Sequence, residues 1–430
     1  MVAASLQQGE TVIIEAEPEH QELVRELTRV SYQNGARYVK TEYIDELTDE
    51  IRAEASKKEL LDYYPQWLYD YRKAYGRDKI CVISLRTPCL RLDRQAGEEL
   101  LRVQKTEREC RAGFDDSASD GSVSIVKTVV PSEEWARIVY PELPPEEALK
   151  SLWEVYAKIC RLDQPDPVMA WRKHQQMLCK RKTQLAELGI RTLYLKGPGT
   201  DLSVKLIEGG GWIGGCAENT RTGELYVPNI PTEEIFSVPD KRNINGVVSS
   251  TLPLNYKGAL IEGIRLEVRD GEVVGFSAES GEDTLASIIH TDEGSRRFGE
   301  ISLVPVQSPI YQSGRIFYDT LLDENAVCHM ALGRGTPGVL PGGYELARSE
   351  LDALGVNSSA IHVDFMIGSK HFDVEADTRA GAQSPACRRL PDPRRRRQRR
   401  PGPPRPRHVR SNAPGRESGC RLPGTARSQS

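Results

Sequence analysis

No stretch of the 430-residue chain approaches eighteen consecutive apolar residues, which excludes a helical membrane span. The first ten residues, Met-Val-Ala-Ala-Ser-Leu-Gln-Gln-Gly-Glu, hold no basic cluster and no apolar core, so no secretory signal is expected. Nine cysteines are scattered without a Cys-x-x-Cys pair. That argues against a thiolate zinc site or a disulfide framework, and for a reduced, cytoplasmic setting. Residues 379–430 have no lysine and no aromatic residue, yet they carry fifteen arginines against two acidic residues, Asp392 and Glu417. The net charge of the whole is -4, so the remaining body is strongly acidic and ill suited to binding nucleic acid.

What is present indicates two folded domains and a tail. Hydrophobic residues make up 38% of the chain, enough for a real core, and the length suits two or three domains. In the first half, strand and helix signals alternate. Thr11–Ala16 reads as a strand. A helix follows from Pro18 to about Asn34, with Leu23, Leu27 and Val30 at helical spacing and Gly35 as its stop. Tyr38–Tyr43 and the wholly apolar Ile80–Leu85 read as further strands. Pro145–Leu162 is an amphipathic helix with Leu149, Leu152, Trp153, Tyr156 and Ile159 on one side; Val168–Leu188 is another, ended by Gly189; Ile190–Leu195 returns to strand. This alternation predicts an open, mostly parallel α/β domain over residues 1–204, with little room for a helix before its first strand.

From Glu208 onward glycines, prolines and short strands take over. Arg269-Asp270-Gly271 between Ile264–Val268 and Glu272–Ser277 signals a hairpin. Ile301–Val306 and Ala326–Leu332 are strand candidates, and Ser349–Leu354 a short helix. The fold class is therefore α/β, with a β-rich α+β second domain over 205–378 and a disordered tail over 379–430, which cannot bury enough surface to offset its chain entropy. Three readings fit the tail: a nucleic-acid-binding extension, an appendage without a role, and an out-of-frame translation of a GC-rich gene. The Arg-only basicity, the Pro/Gly/Ala/Ser bias and the abrupt onset favour the last.

Several stretches of the second domain offer chemistry. Gly209–Gly214 matches G-x-G-x-x-G in form, but a turn follows it rather than the helix a dinucleotide site needs, so it reads as a glycine-rich connection between domains. In Asn229-Ile-Pro-Thr-Glu-Glu-Ile-Phe236, the pair Glu233 and Glu234 alone reads as a solvated helix start. Glu300 opens a strand, His329 lies in an apolar run after Asp323-Glu324, and His362 and Asp364 stand two apart, hence on one strand face. Buried carboxylates and imidazoles need a partner or a metal. Carboxylates with two imidazoles and no thiolate suit Zn²⁺, Co²⁺ or Mn²⁺, and are enough for a two-metal site that activates water against a carbonyl.

Asn229-Ile-Pro-Thr-Glu-Glu-Ile-Phe, Phe-Gly-Glu300-Ile-Ser-Leu-Val-Pro, Thr-Leu-Leu-Asp-Glu324-Asn-Ala-Val-Cys-His329-Met-Ala-Leu-Gly and Ile-His362-Val-Asp364-Phe-Met-Ile-Gly, in this order, resemble the thermophilic aminopeptidase family of aminopeptidase T and S type over residues 1–378. The resemblance places Glu234, Glu300, Glu324, His329, His362 and Asp364 on the family's metal-binding positions, with Glu234 and Glu300 as catalytic carboxylates. It implies two divalent ions (Zn, Co or Mg) and removal of N-terminal residues from peptides, with an acidic side chain anchoring the free α-amine. It also implies a cytoplasmic homodimer without membrane contact, and nucleic acid as a partner only if the tail is genuine. The pattern departs at Thr336, seven residues after His329, where relatives carry a tyrosine able to donate to the tetrahedral intermediate. Relatives also carry more of a first helix and more ordered chain beyond Asp364.

Overall fold

Thr11–Ala16 (β1), Tyr38–Tyr43 (β2), Ile80–Arg86 (β3) and Ser124–Val129 (β4) form a parallel sheet in the order β2-β1-β3-β4. The computed structural model describes residues 3–74, 79–88, 99–100, 102–103, 106–107, 121–378 and 384–385. Alternation along the strands gives this sheet two faces. Val12, Ile14, Cys81, Ile83, Leu85 and Val126 pack against Val24 of helix α1 (Gln21–Gln33). On the other face Ile13, Ile80, Val82 and Val123 meet Tyr71 of a helix at Gln66–Ala74. A fifth, two-residue strand, Asn229–Ile230, is added parallel to β4 from far along the chain. No local signal foretold that addition.

Helices at Glu133–Val139, Pro145–Ile159 and Pro167–Leu188 follow β4. The second has Pro at its first turn; the third is capped by the Asp166 carboxylate accepting from the Met169 N–H and ends at Gly189 in the left-handed conformation. Ala148, Leu152, Tyr156 and Ile159 are buried, whereas Trp153 is exposed at the rim, edge-on to Tyr156. Trp135 is wholly buried, and its indole N–H donates to the Phe317 carbonyl at 2.7 Å. That bond ties the first half of the chain to the second.

Ile190–Gly197 (β5) does not join the parallel sheet, as alternation suggested. It hairpins with Thr200–Leu206 (β6), and both enter a seven-stranded antiparallel sheet with Pro239–Ser249, Arg265–Arg269, Glu272–Ser277, Asp373–Thr378 and the two-residue Ser384–Pro385. The reason is pairing: a tight turn makes β5 and β6 antiparallel neighbours, and the other edge of β5 is taken by Asp373–Thr378. The expected hairpin is present, with Asp270 and Gly271 both at positive φ. A four-stranded antiparallel sheet, in the order Ile235–Ser237 (β7), Phe298–Leu303 (β8), His329–Gly333 (β9), His362–Met366 (β10), shares a large core with it. The strand expected at Ala326 starts at His329, since Thr320–Asp323 is a helical turn whose end consumes the preceding residues. The described residues belong to one compact unit. Of the tail over 379–430, only 384–385 lie within the described residues. No helix among the described residues is long and apolar enough to cross a membrane.

Trp135→Ala should cost about 3–5 kcal/mol of unfolding free energy. Trp135→Phe, which keeps most of the volume but leaves the Phe317 carbonyl unpaired, should cost about 1–3 kcal/mol. Denaturant titration of both variants checks the ordering.

Candidate metal centre

The antiparallel register of β8, β9 and β10 sets a row of side chains across one sheet face. Ala331 lies opposite Glu300 on one side and Asp364 on the other. A methyl group between two carboxylates leaves open space above it. His329, two residues before Ala331, shares its face, and His362, two before Asp364, pairs with Gly333. Glu234 arrives from a different layer. From Asn229–Ile230 at the end of the parallel sheet the chain runs through Pro231 and Thr232 straight into β7. Glu233 and Glu234 are therefore extended rather than a solvated helix start, and both are buried. Adjacent residues of extended chain face opposite ways. Glu234 enters the cluster while Glu233 turns to the core behind it. The Gly209–Gly214 stretch does more than connect: Ile213 bridges to Phe236, and a Cβ on Gly214 would lie 2.6 Å from the Glu234 carbonyl, so only glycine lets this loop seat on the strand.

All of Glu234, Glu300, Glu324, His329, His362 and Asp364 come together. Three overlapping triads, Glu234/Glu300/His329, Glu300/His362/Asp364 and Glu324/His329/Asp364, each bring one potential ligand atom per residue within 4.8 Å of the others. His329 Nε2 is 3.0 Å from Glu234 Oε2 and 3.5 Å from Glu300 Oε1; His362 Nε2 is 3.4 Å from Asp364 Oδ2 and 3.6 Å from Glu300 Oε2. The other ring nitrogens face backbone: His329 Nδ1 lies 3.2 Å from the Val327 carbonyl, and His362 Nδ1 lies 2.7 Å from that of Arg334. A carbonyl can only accept, so each Nδ1 carries a proton and each ring turns its Nε2 toward the carboxylates, the nitrogen that a metal would take once it displaced the proton there. Ser302 Oγ donates to Glu234 Oε2 at 3.0 Å, and Asn325 Nδ2 lies 3.4 Å from Glu324 Oε1.

The charges do not balance. Burial raises Glu300 to about 7 and lifts Glu324 well above the usual carboxylate range, with the neighbouring carboxylates adding to it. Burial would depress His329, but Glu234 and Glu300 opposite its Nε2 outweigh it and hold it well above normal. Burial likewise opposes a charged His362, yet Asp364 beside it brings it up to about 10. Asp364 is lowered because that imidazole overcomes its desolvation. Four ionised carboxylates would outweigh two imidazoles, so in the metal-free cluster protons stay on Glu324, on Glu300 in part and on both rings, and divalent cations would take the place of those protons. His329 Nε2 and Asp364 Oδ1 are buried without a hydrogen-bond partner among the described residues. Orphaned polar atoms aimed into a shared space, with an all-oxygen-and-nitrogen donor set, fit Zn²⁺, Co²⁺ or Mn²⁺.

Behind the cluster lies a network that no sequence motif announced. Arg161 Nη2 is 2.5 Å from Glu233 Oε1 and 3.0 Å from His174 Nδ1; His174 Nε2 donates to the Thr232 carbonyl at 2.7 Å. The Glu233 N–H donates to Asn325 Oδ1 at 2.7 Å, which links it to Glu324. Arg161 also sits over the Trp171 ring, 5.2 Å from its centroid. Burial, reinforced by Arg161, pushes His174 down to about 3. Its partners come from the turn after the preceding helix and from the distant segment that carries Thr232, so only the fold assembles them.

A family model described as Thermophilic metalloprotease (M29) matches residues 1–389. Aminopeptidase 2 of Geobacillus stearothermophilus is 37% identical over 390 residues, covering 90% of this chain and 94% of that protein. Aminopeptidase T of Thermus thermophilus is 36% identical over 391 residues, covering 90% and 95%. The solved structure of wild-type AmpT from Thermus thermophilus superposes with a TM-score of 0.82 at 34% identity, covering 89% of this chain and 94% of that one.

Two measurements probe the centre. At a concentration one hundred times its Kd, Zn²⁺ or Co²⁺ should stabilise the protein by about 2.7 kcal/mol, and Asp364→Asn should abolish most of the rise in Tm. His174 has a depressed folded pKa, so its contribution is present above about 6.5 and is lost as pH falls toward 3. Metal-free protein should lose about 1–3 kcal/mol between pH 6.5 and 4.5 on this account, and His174→Gln should flatten that limb in pH-dependent denaturation.

Proposed function

The chain belongs to the thermophilic metalloprotease (M29) family, and on that footing we propose that it is a metal-dependent aminopeptidase that removes N-terminal residues from peptides by a two-metal mechanism. The observation that carries this reading is the convergence of Glu234, Glu300, Glu324, His329, His362 and Asp364 from four strands and a helical turn into three overlapping triads. All six lie within 205–378, which we read as the catalytic domain. The aminopeptidase names of relatives 34–37% identical support the substrate class.

In this reading the six side chains would hold two divalent ions, Zn²⁺, Co²⁺ or Mg²⁺; Glu300 faces both imidazoles. Bound there, the ions would supply Lewis acidity toward the peptide carbonyl and a water ionised near neutral pH. The protein's own contribution is then positional and protonic. Glu300 and the imidazoles it faces stand where the attacking water would be held, and we assign Glu300 to moving a proton from that water to the leaving amine. Glu234, steadied by Ser302, is the second catalytic carboxylate. An acidic side chain would anchor the substrate's α-ammonium, as the family resemblance implies. Thr336 lines the same cavity, at the position where relatives carry tyrosine. Its hydroxyl is too short to reach a tetrahedral oxygen that a phenol would meet, which favours a slower enzyme over an inactive one, because removing one such donor typically costs about 10²–10³ in rate. The homodimeric, cytoplasmic state implied by the resemblance completes the proposal.

Turnover of an aminoacyl-p-nitroanilide by Co²⁺- or Zn²⁺-loaded protein tests it. Glu300→Gln and His362→Ala should each lower kcat by about 10²–10⁴, and Thr336→Tyr should raise it. Full activity in Glu300→Gln, or failure of elemental analysis to find two metal ions per chain, sinks the two-metal reading.

A further inference from the structure

Five cysteines lie among the described residues, all as free thiols. Cys81, Cys160 and Cys328 are each packed into a hydrophobic core. Cys179 and Cys216 are placed differently. Their Sγ atoms lie 3.6 Å apart, in van der Waals contact. A sulfur–sulfur bond is shorter by only about 1.5 Å, which side-chain rotation and a small loop shift cover. Both residues line the cavity of about 2090 Å³ that also holds the acidic cluster, so a small solute entering it meets them. Their contact follows from a close approach of backbone. Cys179 stands beside Leu178 on the Pro167–Leu188 helix, and Cys216 follows Gly215. Gly215 has φ of 79°, and a Cβ on it would lie 2.6 Å from Leu178 Cβ. Glycine lets the loop lie flat on the helix, and the next side chain then meets Cys179.

The same loop and helix support Glu234. In the loop, the Ile213 N–H donates to the Phe236 carbonyl at 2.9 Å, and the Phe236 N–H donates to the Ile213 carbonyl at 2.8 Å. The helix reaches the segment through His174, which donates to the Thr232 carbonyl. Glu234 lies between Thr232 and Phe236. A covalent bond from Cys179 to Cys216 therefore joins the two supports of one carboxylate of the cluster.

We infer that Cys179 and Cys216 form a reversible redox site: a small-molecule disulfide entering the cavity oxidises them to a disulfide, which draws the loop toward the helix, shifts Glu234 and weakens metal binding. The half-buried Cys179 is the more accessible of the two. Its thiolate attacks one sulfur of the small disulfide, whose S–S bond breaks and releases one small thiolate. Cys216 then loses its proton to solvent, and its sulfur attacks the Cys179 sulfur and expels the second small thiolate. The protein gives up two electrons and two protons, and the oxidant leaves as two thiols. Burial, and then Cys179 beside it, raise the Cys216 thiol above its ordinary range, while Lys182 lowers it; capture of Cys179 in the mixed disulfide removes the second of these obstacles. In a reducing setting such a bond is transient, as a sensor requires.

Treating the metal-free, full-length protein with millimolar glutathione disulfide, quenching with an alkylating agent and mapping peptides without reduction reads the bond. Two peptides joined through Cys179 and Cys216 should appear, and a phosphine reductant should separate them. Cys216→Ser should instead trap the mixed disulfide on Cys179. Titration calorimetry with Mn²⁺, a hard ion that thiols bind poorly, should show binding about tenfold weaker in the linked protein, because disturbing the groups that orient metal ligands typically costs about 10–100-fold in affinity. Cys179→Ala should bind Mn²⁺ equally well before and after the oxidant. Absence of the joined peptides, joined peptides from denatured protein alone, equal Mn²⁺ affinity in linked and reduced protein, or no Mn²⁺ binding by either overturns the inference. The inference rests on the metal centre and not on peptide cleavage. Redox-dependent Mn²⁺ binding in a protein that cleaves no aminoacyl-p-nitroanilide sinks the aminopeptidase reading and leaves the redox site standing; cleavage without any Cys179–Cys216 bond does the reverse.

Discussion

The structure depends on holding like charges close together in a buried place. Glu234, Glu300 and Glu324, all buried, converge with the half-buried Asp364, and only two imidazoles oppose them. Left to itself, such a set would be among the costlier features a core can contain. It persists because the strands that carry it are fixed by packing elsewhere. Phe298 and Phe365 pack against each other within the large shared core, and Ile301, Met330 and Leu332 are almost wholly buried on the same strands. The apolar face of the four-stranded sheet thus stabilises a polar face that could not stabilise itself.

That division of labour continues outward. Each imidazole is oriented by a backbone carbonyl, which has no alternative to accepting, so the tautomer follows from strand geometry rather than from another titratable group. Glu234 is aimed by its neighbour Glu233, which Arg161 draws to the opposite side of the extended chain. Asn325 couples the two acidic segments by accepting from the Glu233 N–H while reaching toward Glu324. A buried ion pair of this sort is weak evidence for stability. Here its consequence is directional: with Glu233 pinned, Glu234 has one way to point.

The placement of the cluster against the parallel sheet gives the cavity its character. Asn229–Ile230 is the fifth strand of that sheet, and the chain passes from it through Pro231, Thr232, Glu233 and Glu234 into the next strand. One edge of the α/β layer therefore leads directly into the antiparallel layer. Glu15 and Asn229, from the parallel sheet, line the same space as the acidic residues. A long cavity walled by both layers is the product of that junction.

Much of this was legible in the chain. Thr11–Ala16 and Tyr38–Tyr43 begin and end where their alternation and turn residues say, because local pattern and burial agree there. The helix ended by Gly189 and the hairpin at Asp270-Gly271 follow from backbone conformations that few residues adopt. The six acidic and imidazole residues were named through the family resemblance of four motifs in order; strand spacing alone put only His362 and Asp364 on one face. Other features could not be read. Ile190–Gly197 looks like a strand of either sheet, and only its partner decides which. Glu233 and Glu234 are equivalent in sequence, and Arg161 tells them apart. Trp153 has helical spacing with the core but stands at its rim. Elements and chemical inventory were already set along the chain, because propensity, capping and side-chain type are local. Register, the pairing of distant polar groups and the joining of two layers around one cavity were settled only by folding, because those depend on which surfaces meet once apolar faces are buried.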